Sequence, residues 1–188
     1  MRTKPFAVTA ALLAALSLTA CGGGGGGEDT APSVGTGADT DTEVTACAAD
    51  QLSVDFGPSN AAPAAGDTGN IPVTLTNTGD PCTLRGVPAT DVHSGGTSWT
   101  VGVEEGAAEP ELTLDGSAVA SFTLTYVRGA AGDAERSVRP ERVEFRLPGS
   151  DAAQGYDWPD AEVAVRSGAT EEAEELDMTV SPFRPAGD

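Results

Sequence analysis

Apolar residues at every second position, in short runs cut by turn residues, recur along most of this chain, and no other feature restricts its fold so strongly. Leu52, Val54 and Phe56 alternate within Gln51–Phe56. Ile71, Val73 and Leu75 do the same ahead of the turn Asn77-Thr78-Gly79-Asp80-Pro81. Further sets are Trp99, Val101 and Val103; Phe122, Leu124 and Tyr126; Val143, Phe145 and Leu147; Ala161, Val163 and Val165; and Leu176, Met178 and Val180. Shorter runs lie at Val87–His93 and Leu112–Leu114. Period two places alternate side chains on opposite faces of a strand, and no stretch carries a helical period. Pro72 lacks an amide donor, so its strand should begin there or lie at a sheet edge. Many short strands with one apolar face each predict an all-β fold, an immunoglobulin-like antiparallel β-sandwich over residues 47–185 with a short tail at 186–188. About 140 residues suffice for an independent core.

The first twenty residues follow another logic. Arg2 and Lys4 precede an apolar run from Ala7 to Leu18, interrupted by Thr9 and Ser17, and small residues follow. A basic start, a short apolar stretch and small residues at a cut are the order of a signal peptide, here residues 1–20. The run is shorter than the roughly 20 residues a membrane-spanning helix needs. Leu18-Thr19-Ala20-Cys21 resembles the bacterial lipobox, which implies diacylglycerol on the Cys21 thiol and cleavage before it. Ordinary cleavage after Ala20 would instead leave a free thiol. The chain has three cysteines, and an odd cysteine in an exported protein calls for an explanation. Lipidation of Cys21 supplies one and leaves Cys47 and Cys82 to pair. The expected location is therefore extracytoplasmic, with the chain lipid-anchored to the outer face of the cell membrane.

Residues 21–46 read as the lipidated cysteine and a disordered tether. Gly22–Gly27 is all glycine, and Glu28–Ala46 contains no apolar residue larger than Val. Such a segment cannot bury enough apolar surface to offset its ordering entropy. As a flexible coil it should reach about 25–30 Å end to end. Asp39, Asp41 and Glu43 alternate with threonines, but Val44 stands where a calcium loop requires glycine or a ligand, so these carboxylates read as solvated linker. Acidity extends along the whole chain: 29 Asp and Glu against 10 Lys and Arg, a formal net charge of −19. That charge repels phosphate backbones and argues against nucleic acid as a partner. It favours solubility, or at its sharpest an affinity for cations or basic partners.

A Cys47–Cys82 disulfide suits an oxidising compartment and would pin the start of the domain beside the turn after the second strand. A metal site at these cysteines lacks ligand spacing, and His93 is the only histidine. Cys47, Leu52, the small-residue turn near Ala61–Gly69, Leu75-Thr76-Asn77-Thr78-Gly79 and Cys82-Thr83-Leu84-Arg85-Gly86-Val87-Pro88 together resemble a known family. It is that of actinobacterial lipoproteins with "domain of unknown function forty-two thirty-two". Leu114–Ala118 is similar to the family's turn before its central strand, and Leu176–Phe183 to its closing strand. The resemblance implies an extracytoplasmic β-sandwich and no established activity, so it lends no catalytic residues. Members often carry a second cysteine pair. Here the corresponding stretches, Asp133–Arg136 and Glu171–Glu175, contain none, which implies looser or differently packed later loops.

Catalytic chemistry finds little support in the residues. Asp91, His93 and Ser94 are the one suggestive set, but neighbours on one strand cannot converge as a nucleophile, base and orienting acid must. A solvated histidine beside the Gly95-Gly96 turn is the plainer expectation. One histidine and one methionine after Cys21 are too few for copper or haem handling. No enzyme activity, cofactor or metal is expected. Gly155-Tyr156-Asp157-Trp158-Pro159-Asp160 breaks the alternation and reads as a loop. Tyr156, Asp157 and Trp158 in it form a candidate binding loop for a protein or glycan, since large rigid rings with polar tips serve recognition. Alternatively, Trp158 folds inward and plugs the end of the sandwich. Two functions remain: a non-enzymatic envelope binding module, or a solute-binding or enzyme-accessory lipoprotein with a pocket.

Overall fold

A computed structural model describes residues 44–108, 110–166 and 175–186. The signal peptide, Cys21, the tether as far as residue 43 and tail residues 187–188 lie outside the described residues. Among the described residues fourteen strands follow in chain order: β1 (Leu52–Phe56), β2 (Thr68–Asn77), β3 (Cys82–Arg85), β4 (Ala89–Ser94), β5 (Thr97–Thr100), β6 (Gly102–Val103), β7 (Glu111–Leu114), β8 (Val119–Val127), β9 (Ser137–Val138), β10 (Arg142–Arg146), β11 (Ala153–Asp157), β12 (Val163–Ala164), β13 (Met178–Val180) and β14 (Arg184–Pro185). One sheet runs β1-β2-β8-β13-β6, with β14 also on β8; a second runs β11-β10-β4-β5. Two ribbons, β3-β7 and β9-β12, complete the set. The fold is the expected all-β sandwich. Its strand pairs are antiparallel except β6 with β13.

The alternation explains why these strands form. On β2 the residues Gly69, Ile71, Val73 and Leu75 face inward, and on its partner β8 so do Ala120, Phe122, Leu124 and Tyr126. The second sheet answers with Val92, Val143 and Phe145. The sheets meet ring to ring, with Phe122 and Phe145 edge-on at 5.3 Å and Phe183 edge-on to Phe122 at 5.9 Å. Full burial of each such side chain stabilises by roughly 1.5–3 kcal/mol. The Tyr126 ring lies across Gly69, where any Cβ would collide with it.

Cys47 and Cys82 are bonded, with their Cα atoms 4.8 Å apart. The Cys47 amide donates to the Thr83 carbonyl (2.9 Å), so the entry of the domain runs beside β3, just past the turn after the second strand where the bond is expected to pin it.

Three expectations are corrected. Pro72 lies within β2, which is flanked by β1 and β8 and is not an edge. Its missing donor faces the β1 side just past the end of β1 at Phe56, where the Gly57 amide still donates to the Pro72 carbonyl (2.9 Å) and the ladder then lapses until Asn60 pairs with Asn70. Trp99, Val101 and Val103 do not share a strand. The chain crosses from the second sheet to the first at the buried Val101, and Val103 emerges 53% exposed. Gly155–Asp157 is not a loop but most of β11, in register with β10.

Candidate functional site

The structure gives Trp158 the inward course. Its ring is 8% exposed, stands edge-on to Tyr126 at 5.6 Å, and its Nε1–H donates to the Ala161 carbonyl (2.9 Å). Tyr156 projects inward from β11, 4.8 Å from Phe56 and stacked at 5.9 Å on Phe145, and burial raises the pKa of its phenol. Only Asp157 of the three is exposed. The three side chains thus form no common recognition surface. Rings that break the alternation read as loop residues in sequence, yet here they close the edge and one end of the sandwich. Gly155 contributes locally: the Arg142 guanidinium lies over it, and a Cβ there would require that flexible side chain to move aside.

Asp91, His93 and Ser94 are held apart by other partners. Asp91 accepts from Thr100 Oγ1 (2.8 Å) and pairs with Arg146. His93 Nε2 lies 3.4 Å from Glu144, and the Ser94 hydroxyl donates to the Arg139 carbonyl (2.7 Å). Among the described residues no group of three or more His, Cys, Asp or Glu is placed to hold a metal ion.

The family-like block around Asn77 also proves to be architecture. The buried Asn77 amide donates to the carbonyls of Asp80 (2.9 Å), Leu114 (3.0 Å) and Asp115 (3.3 Å), and its Oδ1 accepts from the Gly79 amide (3.0 Å). Cys82 is in the disulfide, and Leu84 is core. Gly86 sits at φ 79°, a backbone that glycine adopts freely. Its carbonyl accepts from the Phe183 amide (3.2 Å).

At the Trp158 end lies a polar cluster. Tyr126 Oη and Asp160 Oδ2 are both buried and find no hydrogen bond of good geometry, although each feels the other. Burial, reinforced by the Asp160 carboxylate, pushes the Tyr126 phenol up to about 12. Burial also works to raise Asp160, but the Ser59 and Tyr126 hydroxyls, the Ala161 amide and Arg128 outweigh it and hold this carboxyl below its ordinary value. Arg128 is itself anchored on the Ala62 (2.7 Å) and Pro63 (3.1 Å) carbonyls. This arrangement braces the Ser59–Pro63 segment against the chain after Trp158.

The surface best built to receive something lies at the other side, where β5 ends. β4 and β5 form a hairpin closed by Gly95 and Gly96, both at positive φ (55° and 86°), as a tight two-residue turn requires. Among the described residues β5 has no strand beyond it. The Val101 amide donates to Thr90 O (2.8 Å), so with period two Trp99 and Thr97 also direct their backbone groups to β4. The backbone groups of Ser98 and Thr100 therefore point away from the sheet. Just beyond Thr100 a groove of about 490 Å³ opens to solvent, lined chiefly by the apolar Val87, Pro88, Val101, Val103 and Ala107, with Arg85, paired to Glu111, also on its wall. Sequence reasoning missed this groove because its walls come from three separate connections. The single clue in the sequence is Val103, an apolar residue at the end of the alternating set Trp99, Val101 and Val103.

A family model described as "Domain of unknown function (DUF4232)" matches residues 47–184. No curated protein matches the chain.

Proposed function

The chain belongs to the DUF4232 domain family, and from that premise we propose that it is an exported cell-envelope lipoprotein whose sandwich is a non-enzymatic binding module. The pairing of the cysteines carries this reading. Two of the three are joined as Cys47–Cys82, a bond suited to an oxidising compartment, and the third stands at the end of the lipobox-like Leu18-Thr19-Ala20-Cys21. Two acyl chains anchor a protein stably where one is marginal. The glycine-rich acidic segment after Cys21 would then act as a spacer between headgroups and domain. The strongly acidic chain supports partners that are neutral or basic and argues against nucleic acid.

A second reading, a solute-binding or enzyme-accessory lipoprotein, draws on the groove beyond Thr100. Its volume lies within the roughly 300–1,000 Å³ of small-molecule sites, but such sites enclose most of their ligand and this groove is open on one side. Fractionation of native-host cells tests the main reading. The wild-type chain is expected in the detergent phase; Cys21→Ser should shift it to the aqueous phase or the medium, whereas globomycin, which blocks cleavage and not lipidation, should make a larger, uncleaved form accumulate in the detergent phase. A Cys21→Ser chain that still partitions quantitatively into detergent overturns the lipid anchor.

A further inference from the structure

We propose that β5 and the groove at its Thr100 end dock an extended basic peptide segment of a partner protein, which adds to the second sheet as its fifth strand. This rests on the binding-module reading and gives it a place and a ligand class.

The first ground is how the sheet edges are treated. An open edge invites pairing with another chain, and proteins blunt unused edges with charges, proline, bulges or covers. At the opposite side of the sandwich, β11 is tied to the turn before β1 by Gln154 Nε2 donating to Ala49 O (2.6 Å) and to β1 itself by the Phe56–Tyr156 contact. β14 contains Pro185. β5 has none of these devices: Thr97-Ser98-Trp99-Thr100 is uncharged, free of proline and regularly paired with β4. Among the described residues nothing pairs with the outward backbone groups of Ser98 and Thr100. They offer the main-chain bonds that give strand addition its affinity, while a neighbouring pocket for a side chain gives specificity.

The second ground is that such a pocket is there. The apolar groove begins at Thr100, and Val103 on its wall is 53% exposed, although large apolar side chains elsewhere on the domain are mostly covered. A strand laid along β5 brings its end residue over this groove.

The third ground is charge. Glu104, loosely paired with Arg184 (3.7 Å), and Glu105 follow the groove wall at Val103, Glu141 accepts from the Gly95 amide at the hairpin tip (3.4 Å), and Arg85 on the groove wall is itself paired with Glu111. In a chain of net charge −19 these carboxylates favour a basic segment. They disfavour a second copy paired β5 to β5, which would bring like charges together.

The full chain, purified in mild detergent, can be panned against a phage-displayed library of random peptides about nine residues long. Enriched sequences should be Lys- or Arg-rich with an apolar residue near one end. The best binder, made synthetically, should lose about tenfold or more in affinity when N-methylated at alternate amides in one register, and little in the other. Ser98→Pro removes only an outward amide, and Ala107→Trp fills the groove. Each should cause a similar loss while the melting temperature and circular dichroism stay close to wild type. No enrichment, equal loss in both N-methyl registers, or binding indifferent to both variants would overturn the proposal. So would a dimer in analytical ultracentrifugation that Ser98→Pro dissociates, because the edge would then belong to a second copy. The result is independent of the lipid anchor, which the Cys21→Ser fractionation judges separately.

Discussion

Trp158 is where two residue-level readings part. Buried against Tyr126 and bonded through its indole N–H to Ala161, it acts as a plug at the end of the sandwich. Trp158→Ala should therefore cost roughly 3–5 kcal/mol in chemical denaturation, the usual range for removing a large buried ring. A variant that melts like wild type would show that the ring contributes little to the core. Asn77 makes a related point. Its position in a family-like motif invites a functional reading, yet its side chain is fully used in clasping the Asn77–Cys82 turn to the end of β7. A motif of Asn, Cys, Leu, Gly and Pro can thus mark a demanding corner of a fold and no chemistry at all.

At the scale of elements, the disulfide joins the segment leading into β1 to the start of β3, across a sequence separation of 35 residues. Replacing Cys47 and Cys82 together by serine should lower stability by roughly 3–4 kcal/mol, read as a reduced denaturant midpoint at unchanged slope. An unchanged midpoint would mean that the bond adds nothing to the folded state. The strands most legible in the sequence were those with one wet and one dry face, such as β2, β8 and β10, because burial writes period two directly into the side chains. β11 was illegible: Gly155 accommodates Arg142, and the strand reads Ala-Gln-Gly-Tyr-Asp, with only Tyr156 as a large apolar contributor. The β5–β6 crossover was misread for the opposite reason. Its alternation is intact in sequence, but the chain changes sheets at Val101, a tertiary event that local periodicity does not encode. The candidate site suffered most, since edges and grooves arise from what fails to pair, and a sequence records only what each residue prefers.

For the whole molecule, the polar cluster near Trp158 makes stability depend on pH at both extremes. Tyr126 holds its proton more tightly when folded, so its contribution is complete below its ordinary value of 10.0 and is lost as pH rises toward about 12. For a residue so well buried, the shift corresponds to about 2–3 kcal/mol. Asp160 behaves oppositely: its folded pKa is depressed, so its contribution is present above the ordinary value of 3.8 and is lost as pH falls below it. Denaturation midpoints between pH 9 and 12 should fall for wild type and fall distinctly less for Tyr126→Phe. Identical alkaline profiles would contradict the assignment. The reading of the molecule as a tethered, exported module rests on the division of labour among its three cysteines. Intact mass spectrometry without reduction, on protein extracted from native-host membranes, tests it most directly. The account predicts a chain that begins at Cys21, carries the mass of a diacylglycerol there, and has Cys47 and Cys82 oxidised to a disulfide. A chain that retains Met1–Ala20, or that begins at an unmodified Cys21, would contradict it.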